Sequence, residues 1–167
     1  MKALTIWQPW ASLIMIGAKP YEFRSWKPPL SLIGQRLAIH AGARPVRASE
    51  VRALVMALKG NPNMANPCLK ADIALPMLDR VLLALSKSPD TLWGTSEQLT
   101  LPISHVLGTV VVGEPKRGDE CAAEFGEAAG NDSDREGTFN WGWPMLDIKH
   151  EEPPRQAKGA QGLWDWR

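Results

Sequence analysis

Hydrophobic and polar positions change period along the chain, and each change marks an element. Lys2–Trp7 alternates, with Leu4 and Ile6 on one side, and predicts a short strand. Pro9 suits the first turn of a helix. Trp10, Leu13, Ile14 and Ile16 give that helix an apolar face, and Gly17 stands where a C-terminal glycine belongs. Pro20–Trp26 alternates again, setting Tyr21, Phe23 and Ser25 against Glu22, Arg24 and Trp26, until Lys27-Pro28-Pro29 stops it. Gln35–Ala41 is a third strand, with Leu37 and Ile39 opposite Ala38 and His40. Ser49 can cap a helix to Leu58 through Val51, Leu54 and Val55. Leu75–Ser86 repeats that helical spacing through Leu78, Val81, Leu82 and Leu85. Ile103–Val112 is an apolar, β-branched run and the strongest strand signal. Phe139–Lys149 and Gly162–Trp166 complete the strands.

Six short strands with helices between some of them predict an α+β fold with a curved or closed sheet. Strictly alternating βαβ units do not fit, because several neighbouring strands lack a crossover helix. The helices at about 49–86 lie within an insertion over about 45–95, and about 114–137 reads as an acidic, glycine-containing surface loop. With 167 residues, the chain reads as one domain, 1–167.

The net charge of +1 excludes a uniformly basic surface but hides a gradient. Residues 1–60 carry nine basic and two acidic side chains, whereas residues 119–136 carry one basic and seven acidic. A basic first third hints at an anionic ligand there. Cys68 and Cys121 belong to no C-x-x-C unit and read as incidental reduced thiols, which fits a cytoplasmic protein. No apolar run approaches a membrane span, and Met1-Lys2-Ala3-Leu4 lacks a signal-peptide body. The three histidines have no metal-like spacing, so neither a metal nor another cofactor is expected. Phosphate-loop, dinucleotide, serine-elbow and zinc-helix motifs are absent.

Tryptophan supplies eight of the twelve aromatics, an unusual bias. In Trp7-Gln8-Pro9-Trp10, two indoles flank an amide at a strand-to-helix junction, a recipe for holding a planar heterocycle. Alternatively, both indoles are core plugs and Gln8 caps local backbone. Farther on, Glu22, Arg24 and Trp26 share a strand face. Glu22 and Arg24 can pair and fix a guanidinium fork for phosphate, carboxylate or a base, with Lys19 in the preceding turn. The competing reading is a surface ion pair worth about 0–1 kcal/mol. His40, near a strand end, reads as either a ligand contact or a hydrogen-bonded core histidine. Trp141, Trp143, Trp164 and Trp166 pair up on strand faces and favour packing. Trp93 has no assigned role.

Taken in order, Ala3-Leu4-Thr5-Ile6-Trp7-Gln8-Pro9-Trp10-Ala11, then Gly17 to Trp26 in the pattern G-x-K-x-x-E-x-R-S-W, then Ile39-His40-Ala41, resemble the ASCH domain family. Leu107-Gly108-Thr109-Val110-Val111 and Lys158-Gly159-Ala160-Gln161-Gly162-Leu163-Trp164 are also similar to it. The resemblance implies a PUA-like mixed β-barrel of about five to six strands with peripheral helices. It also implies binding of RNA, single-stranded nucleic acid or a modified nucleoside. The implied ligand contacts are Trp7, Gln8, Pro9, Trp10, Lys19, Glu22, Arg24, Ser25, Trp26 and His40. Some members of the family are hydrolases: ribonucleases, or amidohydrolases acting on N4-acetylcytidine. That activity makes Lys19 and Glu22 the catalytic candidates here. In the amidohydrolase-like members a threonine stands three residues after the lysine, where this chain has Glu22. A lysine beside a carboxylate suits stabilisation of anionic oxygen better than attack as a neutral amine. Glu22 is a candidate general base if Arg24 does not fully occupy it. A purely structural barrel would instead bury Trp7, Trp26 and Trp141 completely.

Overall fold

The computed structural model describes residues 1–86, 100–126, 129 and 140–167. In chain order the elements are β1 (Lys2–Ile6), α1 (Trp10–Met15), β2 (Tyr21–Arg24), β3 (Arg36–Ala41), α2 (Ala48–Leu58), α3 (Ala71–Ser86), β4 (His105–Val112), β5 (Lys116–Arg117), α4 (Gly118–Ala123), β6 (Trp141–Gln156) and β7 (Leu163–Asp165). A short 3-10 turn at Leu30–Leu32 leads into β3. The strands lie in the order β2-β6-β4-β3-β1-β7, with β5 beside β6. Among the described residues β1 and β3 pair in parallel and the other pairs are antiparallel. The fold is α+β: a mixed sheet curved into a half-barrel, with four helices among the described residues.

Helix α1 sits between two apolar clusters, which explains why five of its six residues are buried. Ala11, Ile14 and Met15 join Leu4, Ile6, Leu37, Ile39, Val110 and Val112 on the sheet. Leu13 joins Val51, Leu54, Val55, Leu69, Leu78 and Val81 from the α2–α3 region. The i, i+3, i+4 spacing of α2 is therefore satisfied against α1 and α3. Gly17 closes α1 at φ +77°, a left-handed conformation in which glycine avoids a Cβ clash. Beyond it, the Lys70 backbone N–H donates to the Ala18 carbonyl at 2.9 Å, tying the start of α3 to that turn.

Four elements differ from the sequence pattern. Helix α2 starts at Ala48, with Arg47 rather than Ser49 at its cap. Helix α3 starts at Ala71, four residues early, with Pro76 inside it. Pro76 lies within the second turn, and Asp72 in the first turn complements the helix dipole. Strand β6 runs through Pro153 and Pro154 to Gln156 instead of ending near Lys149. Its register against β4 jumps from Gly108↔His150 to Val106↔Arg155, so the prolines fall in a bulge where no ladder hydrogen bond is required. The acidic stretch 114–137 begins with β5 and α4 rather than loop. Glu120 accepts the Arg117 backbone N–H at 3.3 Å and caps that short helix. Two further acidic groups of this segment are paired locally: Asp119 with Arg117 at 2.9 Å and Glu124 with Lys116 at 2.8 Å. Tyr21 donates to Glu124 at 2.6 Å, and burial together with that carboxylate raises the phenol above its usual range. Cys68 and Cys121 are buried thiols beneath Tyr21 and Phe23, and burial pushes Cys121 up to about 11. Trp93 lies outside the described residues.

Candidate nucleic-acid interface

The parallel pairing of β1 with β3 sets Thr5 beside His40 and Ile6 beside Ala41. The segments that leave these two strands therefore start side by side, Trp7 after one and Arg44 after the other. Together with β2 and the 156–162 segment they enclose a cleft of about 1300 Å³. Trp7, Trp10, Glu22, Arg24, His40, Arg44 and Lys158 all line it.

The alternation of β2 has the expected consequence. Tyr21 and Phe23 enter the cluster around Cys121, while Glu22 and Arg24 face the cleft, whose wall Phe23 also touches. Arg24 Nη2 pairs with Glu22 Oε1 at 3.2 Å and donates to the Thr5 carbonyl at 3.4 Å. Lys19 lies beneath the cleft wall, 1% exposed, with Nζ 3.7 Å from Glu22 Oε2. Its ammonium also faces the Trp10 and Phe23 rings at 4.9 and 5.0 Å. Glu22 is thus gripped by a cation on each oxygen. Lys19 itself is not part of the lining and reaches the cleft through Glu22.

Other motif residues are spent elsewhere. Gln8 is fully buried; its Nε2 donates to the Pro102 carbonyl at 2.8 Å and its Oε1 accepts the Ser12 N–H at 3.1 Å. Gln8 caps α1, the role that competed with ligand contact in the sequence. Pro9 precedes α1 and is buried. Ser25 and Trp26 lie past the end of β2, outside the lining. Trp26 packs edge-on against Trp143 at 4.7 Å, and its carbonyl accepts the Trp143 indole N–H at 3.0 Å. Trp7 is 57% exposed and Trp26 37%, so the full burial a purely structural barrel requires is not met.

His40 occupies a closed network. Its Nε2 lies 3.0 Å from the Ala157 carbonyl, which can only accept, so Nε2 carries the proton. Nδ1 is then an acceptor and takes the Thr5 hydroxyl proton at 3.2 Å, while Thr5 Oγ1 accepts the Trp164 indole N–H at 3.0 Å. Burial lowers the His40 pKa, favouring this neutral form. The ring also packs edge-on against Trp164 at 5.5 Å. Gly159 lies directly on it: a Cβ there would stand 2.3 Å from His40 Cε1. His40 thereby fastens the 157–162 wall to β1 and β3.

Arg44 was not singled out from the sequence, because its neighbourhood depends on the parallel pairing. Its guanidinium carbon stands 4.3 Å from the Trp7 ring centre. Nη1 donates to Glu50 Oε1 at 2.7 Å. Burial alone would raise Glu50, but Arg44 and the Arg47 N–H outweigh it and hold the carboxyl below its usual range. Arg24 Nε and Arg44 Nε are both buried without a hydrogen-bond partner among the described residues. Among those residues no group of three or more His, Cys, Asp or Glu is placed to hold a metal ion. No described helix is long and apolar enough to cross a membrane.

A mixed half-barrel with a cationic, indole-lined cleft defines the class of molecule, and the comparisons give the family. The ASCH domain model matches residues 4–143, so the chain belongs to the ASCH family. The ASCH domain is a PUA-like fold associated with RNA binding. No curated protein sequence matches the chain. Among solved structures it is similar to the ASCH protein of Zymomonas mobilis, with 15% identity and a TM-score of 0.50 over 99% of this chain and 87% of that one. A serine-to-alanine variant of the same protein gives 16% identity at the same coverage and TM-score. These likenesses concern the fold.

Proposed function

We propose that the cleft binds single-stranded RNA or a modified nucleoside. The carrying observation is that Arg24, Arg44 and Lys158 line one cavity with the indoles of Trp7 and Trp10. Cations that track phosphates, interleaved with aromatic faces that stack bases, are the combination single-stranded ligands need. The cavity is also large enough for a nucleotide, since small-molecule sites span about 300–1,000 Å³. The test is binding of a single-stranded RNA oligonucleotide at two salt concentrations. Binding at low salt that weakens as salt rises supports the reading; no binding at low salt, or no salt dependence, overturns it.

The second reading is a hydrolase on the same cleft, a ribonuclease or an N4-acetylcytidine amidohydrolase. It is favoured by Glu22, a buried carboxylate on the cleft wall with Lys19 and Arg24 at its two oxygens. Glu22 serves as general base once Arg24 leaves its Oε1 to stabilise negative charge on the reacting group. Turnover of RNA and of N4-acetylcytidine, with Glu22→Ala and Lys19→Ala as controls, decides it. Activity unchanged in both variants removes these residues from the chemistry.

A further inference from the structure

The geometry points to a phosphodiester clamp made of Trp7, Arg44 and Glu50, in which helix α2 positions the cation that grips the nucleic-acid backbone. This rests on the reading of the cleft as an RNA site and specifies one of its contacts.

A guanidinium has five N–H donors in a planar fork. At Arg44 the guanidinium carbon lies over the Trp7 indole at 4.3 Å, and Nη1 is held by Glu50 at 2.7 Å. Nε is buried with no hydrogen-bond partner among the described residues, and the side chain lines the cleft. Nε and the adjacent Nη2 form the edge that matches two phosphate oxygens. A buried donor left without an acceptor is costly, and a phosphodiester oxygen supplies that acceptor as the partly exposed side chain turns this edge into the cleft. The brace is tied to the helix start: Glu50 sits in the first turn of α2 and its Oε2 also accepts the Arg47 backbone N–H at 3.4 Å. Trp7, half-exposed beside the guanidinium, provides a stacking face next to the phosphate. That pairing of indole and fork fits a nucleotide unit better than an isolated oxyanion.

The test measures Trp fluorescence on titration with a single-stranded RNA oligonucleotide across a salt series, with inorganic phosphate as a separate arm. Far-UV circular dichroism checks that each variant folds. Arg44→Lys, which keeps charge but loses the fork, weakens RNA binding about tenfold. Arg44→Gln lowers the slope of log affinity against log salt by about 0.7, the share of one single-strand phosphate. Glu50→Ala weakens binding about threefold, but adds nothing in an Arg44→Gln background, the non-additivity of a residue acting through another. Glu50→Gln, which keeps an acceptor for Arg44, restores most of the affinity. An unchanged salt slope and affinity in folded Arg44→Gln and Arg44→Lys overturns the clamp while the RNA reading stands. Wild-type protein that binds no RNA at low salt overturns both. Inorganic phosphate bound through Arg44 without RNA binding overturns the phosphodiester assignment.

Discussion

Two walls of one cleft are built on opposite rules. On the His40 wall every ring nitrogen has a partner: Ala157 takes Nε2–H, Thr5 serves Nδ1, and Trp164 completes the chain through Thr5 Oγ1. On the arginine wall, Arg24 and Arg44 are each oriented by a carboxylate, yet each keeps a buried Nε without an acceptor among the described residues. A satisfied polar network fixes a backbone in place. A braced cation with donors in reserve is prepared for an anion from outside. Both kinds of group line the same cavity, so lining alone does not separate structural from ligand-contacting residues.

Substitutions on the closed wall sharpen that contrast. Gly159→Ala has the largest expected cost, about 3 kcal/mol in chemical denaturation, because the new methyl collides with the His40 ring and the wall must shift. Thr5→Val strips two partly buried groups, His40 Nδ1 and Trp164 Nε1, of their partner and costs about 2 kcal/mol. Neither variant should change the salt slope of RNA binding. Arg44→Gln shows the reverse profile: about 1 kcal/mol or less in stability with a clear loss of RNA affinity. A Thr5→Val variant as stable as wild type, or an Arg44→Gln variant that loses several kcal/mol, breaks the division.

The smallest expected effect is a pH dependence. His40 has a folded-state pKa below its unfolded value near 6.5, so the unfolded chain takes the proton first. Its contribution to stability is complete above about pH 6.5, declines as pH falls below that value, and levels off under the lowered folded pKa. Denaturation midpoints of wild type and His40→Gln between pH 7 and 5 should therefore converge towards low pH.

Much of this was legible in the sequence, for identifiable reasons. Alternation in Lys2–Ile6, Tyr21–Arg24 and Arg36–Ala41 mirrors strands whose two faces meet different surroundings, so their existence and the cleft-facing parity of Glu22 and Arg24 were readable. The full length of β6 was hidden, since a bulge shelters Pro153 and Pro154 in a way no local rule shows. Gln8 was ambiguous because an amide beside two indoles suits a base or a helix start equally well; Pro102, distant in sequence, decides where its Nε2 points. Arg44 was illegible for a related reason. It faces Trp7 only because two strands distant in sequence run parallel, and the helix that supplies Glu50 begins a few residues later. The net charge of +1 proved a poor guide, since Asp119 and Glu124 are paired with Arg117 and Lys116 on their own segment.

The most direct test of the account is a crystal structure of the protein with a short single-stranded RNA. The account predicts a nucleotide inside the cleft, a phosphate within hydrogen-bonding distance of Arg24 or Arg44, and a base against Trp7 or Trp10. RNA bound on another surface, with the cleft empty, contradicts it.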